Sequence, residues 1–219
     1  MPGLTIARRK VLRVPLACAA ATCFSGFTTG AATTLTPTPA QTAGPFYPAS
    51  FPEDSDNNLL HVSGRKAARG VPAKITGQVL NIDGQPVSGA RVEIWQCDTN
   101  GRYHHVQDGR TDPPRDEDFQ GYGLTTTNAE GRYEFLTIKP VPYPGRAPHI
   151  HFAVSGRGFE RFITQMYVAG DPRNGHDSVL TSVRDPAARA RLIVALQPSP
   201  EVGMSGLAGT FEIVLAARV

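Results

Sequence analysis

From Lys74 onward the chain alternates apolar and polar residues in short runs broken by turn signals, the period of strands that bury one face. Ile75-Thr76-Gly77-Gln78-Val79-Leu80 runs into Asp83-Gly84, a hairpin signal, and Ala90-Arg91-Val92-Glu93-Ile94 resumes the alternation. Asn128-Ala129-Glu130-Gly131 marks a second turn, followed by Arg132-Tyr133-Glu134-Phe135-Leu136. Phe162 to Val168 and Phe211 to Leu215 supply further strands. One late helix is predicted, with Asp185 as N-cap, Pro186 at the first helical position and Ala187 to Leu196 as its body. The expectation is an all-β fold, an antiparallel β-sandwich with long loops. The charged loop from Gln107 to Gln120 is long enough to border a site.

One strand carries a different message. In an extended His149-Ile150-His151-Phe152-Ala153-Val154 the two imidazoles share one face, while Ile150, Phe152 and Val154 share the other. The apolar face packs, and the histidine face is free to hold a metal, for which neutral imidazole is a common ligand. Pro144 and Pro148 stiffen the approach to this strand, Arg146 brings a fixed positive charge, and Tyr143 stands where a short loop can fold its phenol over the same face.

Ahead of the strands, Arg8-Arg9-Lys10-Val11-Leu12 precedes an Ala-rich apolar run to about Ala32, which reads as an export signal over residues 1–32, similar to the twin-arginine kind. The expected location is periplasmic or secreted. Cleavage there changes the electrostatics: the whole chain carries 22 Lys and Arg against 19 Asp and Glu, but the signal holds four of the basic residues and none of the acidic ones. The remainder is close to neutral, so nucleic acid and anionic membranes are not expected partners. Cys18 and Cys23 also leave with the signal, so Cys97 stands alone and no internal disulfide is expected. Residues 33–73 are read as an arm and linker, in which Gly44-Pro45-Phe46-Tyr47-Pro48 is a segment that docks on the domain or on another subunit, and residues 74–219 as the domain itself. The oligomeric state, a homo-oligomer included, stays open.

Gly101-Arg102-Tyr103, Tyr143-Pro144, Arg146 three before His149, the pair His149/His151, and Ile163-Thr164-Gln165-Met166-Tyr167 followed by Gly170-Asp171-Pro172 together resemble the intradiol ring-cleavage dioxygenases, with the protocatechuate 3,4-dioxygenase branch as the nearest pattern. The resemblance implies one non-haem Fe(III) per chain, held by Tyr103, Tyr143, His149 and His151, with a catecholic substrate and dioxygen as the reacting partners. It also implies a catalytic set of Tyr143 as a leaving ligand and base, Arg146 against negative charge on the ring, and Gln165 near the reacting carbon or the oxygen. The residue types suit that ion: tyrosine ordinarily keeps its proton to about pH 10, so it serves a highly charged cation far better than a divalent one. This sequence departs from the family pattern where Gly145 replaces a usual Trp after Tyr143-Pro144 and only five residues separate Tyr143 from His149.

Two other readings compete. Gly77-Gln78-Val79 to Gly89-Ala90, with Asn128 to Tyr133 later, also resembles transthyretin-like sandwich modules that bind without catalysis. A zinc hydrolase built on His149, His151 and an acid such as Asp171 is the third. His104 and His105 are expected to stand outside the metal's ligand set.

Overall fold

The computed structural model describes Gly3, residues 34–52 and residues 54–216. The predicted export signal lies outside the described residues, apart from Gly3. The strands are β1 Pro72–Leu80, β2 Arg91–Trp95, β3 Tyr122–Thr126, β4 Arg132–Ile138, β5 His149–Gly156, β6 Phe159–Val168, β7 Ile193–Val194, β8 Gln197–Pro198, β9 Leu207–Thr210 and β10 Ile213–Val214. They make two five-stranded sheets, one with β1 at its centre and the other in the order β3-β2-β5-β6-β7.

The fold is all-β, and the alternation predicted for the long strands is what builds it. Ala73, Ile75 and Val79 of β1 turn inward beside Phe135 of β4. From the other sheet Val92, Ile94, Ile150, Phe152, Val154 and Met166 enter the same apolar cluster. Gly77 is required where it stands: Tyr133 crosses it to donate its hydroxyl proton to the Phe211 carbonyl, and a Cβ there would strike both groups.

The sheets are mixed, not purely antiparallel. β9 and β10 run parallel to β1, and β7 runs parallel to β6, while the earlier pairs are antiparallel. The late helix is also shorter than its periodicity predicts. It starts as expected, with Asp185 accepting from Ala187 N and Pro186 first, but it ends at Ala190. Ile193-Val194 pairs with Tyr167-Val168 instead, which buries Val194 and the Leu192 that precedes the strand in the core. A second one-turn helix, Ser178–Thr181, precedes it with Asp177 as N-cap. Among the described residues no helix is long and apolar enough to cross a membrane.

The arm crosses its own domain. Leu35 N donates to Ile82 O at 2.7 Å, Thr38 N to Val214 O at 2.9 Å and Gln41 N to Ile163 O at 2.8 Å. Further along, Thr42 O accepts from Gln165 Nε2, Gly44 lies beside the His151 ring and Tyr47 packs on Trp95, so this part of the arm covers the face of the second sheet that points away from the shared core.

Candidate metal centre

That covered face carries His149 and His151, both about 1% exposed. The register places Tyr167 opposite His149, and sets Gln165 and Trp95 on either side of His151. The imidazole Nε2 atoms lie 3.1 Å apart. His149 Nδ1–H donates to Ala147 O at 2.7 Å, which leaves Nε2 with its lone pair. His151 is held differently: its ring stacks on Trp95 at 4.7 Å and 7°, and its Nδ1 makes no hydrogen bond of ordinary geometry. Burial, joined by the Arg146 charge, lowers the His149 pKa to about 4; burial and the neighbouring His149 push His151 well below its ordinary value. Both rings are therefore neutral near pH 7, the form that binds a metal.

Tyr103 reaches the histidines from a turn built by buried carboxylates. Asp98 Oδ1 accepts from Asn100 N and Arg102 N, and Asp108 Oδ2 accepts from Tyr103 N at 2.8 Å. Arg102 and Arg110 then hold Asp108 in place. The Tyr103 ring is buried, stacks on Phe46 of the arm at 4.6 Å, and brings Oη to 3.5 Å from His149 Nε2. The predicted loop Gln107 to Gln120 thus acts beneath the site, fixing a phenol.

Tyr143 arrives on a tight turn. Pro144 and Gly145 occupy its central positions, Gly145 has φ 81°, and Arg146 N donates to Tyr143 O at 2.9 Å. Its ring stands nearly perpendicular to Tyr103 with centroids 5.5 Å apart, and 5.5 Å from the His149 ring. Burial raises both phenol pKas, that of Tyr103 well above its ordinary value, while Arg146 works against the rise at Tyr143.

These donors fit one cation. Histidine nitrogens bind metals at about 2.0–2.1 Å, so two ligands at right angles on one ion stand about 3 Å apart. The spacing of the two Nε2 atoms and of Tyr103 Oη matches that. Two neutral nitrogens facing each other need a shared proton or a shared cation between them. Two phenols whose burial disfavours ionisation call for a strongly charged ion, which matches ferric iron better than zinc. Among the described residues no three His, Cys, Asp or Glu side chains gather as a divalent site would need. Asp171, the third ligand of the zinc reading, instead caps the short turn at Pro172–Gly175.

Arg146 sits beside the donor set. Its Nη1 donates to Tyr143 Oη at 3.3 Å, Nη2 to Gln165 Oε1 at 2.6 Å and to Tyr167 Oη at 3.2 Å, and Nε to Asp177 Oδ2 at 2.8 Å. Gln165 Nε2 donates to Thr42 O of the arm at 2.9 Å, which fixes the orientation of its amide. Outside Tyr143 and Arg146 opens a cleft of about 470 Å³, walled by Pro142, Pro144 and Ala147 and rimmed by Arg173 and His176.

All six predicted site residues, Tyr103, Tyr143, Arg146, His149, His151 and Gln165, meet at this one place. His104 and His105 stay outside it. His104 Nε2 donates to Asp116 O, and His105 Nδ1 accepts from Gln107 N. Sequence reasoning missed Asp177, Tyr167, Trp95 and Phe46 as parts of the site. Tyr167 carried a signal, since it lies two residues from Gln165 on an alternating strand; Asp177 carried only that of an N-cap before Ser178.

The family described as dioxygenase matches residues 42–217, a span that takes in both sheets and every residue of this site. The chain belongs to the intradiol ring-cleavage dioxygenases. It is 43% identical over 152 residues to the protocatechuate 3,4-dioxygenase beta chain of Burkholderia cepacia, covering 66% of this chain and 64% of that one. To the hydroxyquinol 1,2-dioxygenase of Rhizobium sp. MTP-10005 it is 30% identical over 180 residues, 74% of this chain and 58% of the other. The chain thus spans less than two thirds of the length of these curated relatives. Among solved structures it is similar to the dioxygenase domain of a dioxygenase and carbohydrate-binding protein fusion from Streptomyces sp. SirexAA-E, with a TM-score of 0.65, 30% identity, 84% of this chain and 100% of that chain covered.

Proposed function

We propose that this chain is a non-haem Fe(III) dioxygenase that opens the ring of a catechol-type substrate between its two hydroxyl-bearing carbons, giving a muconate-type dicarboxylic acid. The observation that carries the reading is the meeting of two buried imidazoles, their Nε2 atoms 3.1 Å apart, with Tyr103 Oη 3.5 Å from that of His149. A module that only binds or spaces would gain nothing from burying such a set. Tyr103, Tyr143, His149 and His151 are the residues that would hold iron. When bound, Fe(III) supplies a Lewis-acidic seat for both diol oxygens and draws electron density from the ring so that carbon can react with dioxygen.

The protein's part is positioning and proton handling. Tyr103 is buried and clamped through its backbone, so it serves as the ligand that stays. Tyr143 is only half-buried and faces the cleft; as the phenolate it would be when it holds iron, its Oη can take a proton from the incoming diol and swing toward the opening as the neutral phenol. Arg146 Nη1, 3.3 Å from that Oη, stabilises negative charge on substrate oxygen as the ring loses aromaticity. Gln165 spends Oε1 on Arg146 and Tyr167 and one N–H on Thr42, which leaves one N–H for the substrate or dioxygen. Phe46 and Trp95 back the ligands with apolar rings and exclude water from that side. Both atoms of dioxygen enter the product, so no external reductant is consumed.

The test is aerobic incubation with catechol under oxygen-18. One equivalent of dicarboxylic acid carrying two heavy atoms supports the reading, and no ring opening by iron-loaded protein refutes it. We further propose export in a folded, metal-loaded state. Changing Arg8 and Arg9 together to Lys should strand iron-loaded precursor in the cytoplasm, and normal export of that variant would show another route.

A further inference from the structure

We infer that Asp177 is the positioning residue that aims Arg146 at Tyr143, an inference that rests on the role proposed above for Arg146. Asp177 is fully buried and its two oxygens do different work. Oδ1 accepts from Val179 N and Leu180 N, both at 3.0 Å, capping the helix Ser178–Thr181. Oδ2 accepts from Arg146 Nε at 2.8 Å and from Ala147 N at 2.9 Å. One carboxylate therefore ties the turn that carries Tyr143 and Arg146 to a segment thirty residues downstream.

The guanidinium is a planar fork, so fixing Nε on one side fixes where the other two nitrogens point. With Nε on Asp177 and Nη2 on Gln165 and Tyr167, Nη1 is left facing Tyr143 Oη. Gln165 and Tyr167 meet Arg146 on the same nitrogen, and they alone would let the plane rotate about that contact. Asp177 is the second anchor that stops the rotation, and it neutralises a charge that is mostly buried. Burial works against both ions, yet the Asp177 pKa lies below its ordinary value and that of Arg146 above, as expected of a pair that holds together. Removing Asp177 should leave the metal donors in place and let the guanidinium turn away from Tyr143.

Asp177→Ser separates these roles, because serine still caps the helix but is too short to reach Arg146. Asp177→Asn is the companion variant, keeping the size and one capping oxygen. With iron loaded, each should keep its iron and lose kcat by about 10- to 100-fold with KM changed by less than about threefold. Combining either with Arg146→Gln should be no worse than Arg146→Gln alone. Additive losses, unchanged kcat, or iron lost in step with activity would each overturn the inference. In metal-free protein, where no turnover is involved, the Arg146 Nε–H should exchange slowly with solvent in the wild type and rapidly in both variants, seen by nitrogen-15 NMR. Equal exchange would also overturn it. Absence of turnover in the wild type would instead sink the proposed function, leaving the exchange measurement to judge Asp177.

Discussion

His149 Nε2 faces His151 Nε2 at 3.1 Å inside the protein, with both rings neutral and the His149 Nδ1 proton already donated to Ala147 O. In the metal-free protein a single proton has to reconcile these two nitrogens. A cation would do so by taking both lone pairs, and Tyr103 Oη, 3.5 Å from His149 Nε2, and the Tyr143 ring, 5.5 Å from the His149 ring, stand beside the same spot.

The first prediction is therefore a colour. Tyrosinate on Fe(III) absorbs in the visible, so the isolated protein should be red to burgundy and contain about one iron per chain by the donor count above. Chelation should bleach it and lower its melting temperature, since bound metal stabilises the folded state by mass action. A colourless protein with stoichiometric zinc would contradict the ferric assignment.

The two tyrosines should separate. Tyr143→Phe should retain iron and a shifted visible band, bind catechols more slowly and turn over far less, because the base that accepts the diol proton is gone. Tyr103→Phe should weaken iron retention itself. Stopped-flow binding, metal analysis and turnover on both variants check this, and equal loss of iron and activity in both would refute the division of roles.

Asp108 should make the Tyr103 turn sensitive to acid. Burial opposes its charge, but Arg110, the Tyr103 N–H and Arg102 outweigh burial and hold its pKa at about 2 instead of 3.8. A folded pKa below the unfolded one means stability that is present above pH 4 and is lost as pH falls toward 2. Asp108→Asn should cost roughly 2 kcal/mol at neutral pH and flatten the dependence between pH 4 and pH 2. Urea unfolding of metal-free protein across that range measures it, and parallel curves for the two proteins would remove Asp108 as the cause.

The arm should matter for the centre as well as for the fold. Phe46→Ala removes the stack on Tyr103 and the edge contact with Tyr143 at 6.1 Å. Loss of the aromatic pairing alone is worth about 1 kcal/mol. The variant should release iron to a chelator faster than wild type, and Phe46→Tyr should restore the rate. Unchanged release in Phe46→Ala would mean that the arm only covers the site.

What the sequence determined by itself was local in origin. Period-two alternation is a property of an extended backbone, so His149 and His151 had to share a face opposite Ile150, Phe152 and Val154. Proline followed by glycine after Tyr143 dictates the turn that folds its phenol back, and Asp185-Pro186 starts a helix wherever it lies. The six residues named from the resemblance could be picked out in the same way, because each belongs to a short motif. The end of that helix was not local: no proline or glycine interrupts Ala187 to Leu196, and the segment becomes a strand where the open edge of β6 lies beside it. Parallel pairing of β9 and β10 with β1 likewise depends on where the chain returns after residue 200. Asp177 drew no reading from the sequence until folding brought Arg146 within 2.8 Å of it, and Phe46 was one aromatic of a docking arm until it lay on Tyr103. Those contacts join segments 31 and 57 positions apart, and over such distances only the packed sheets decide which side chains meet.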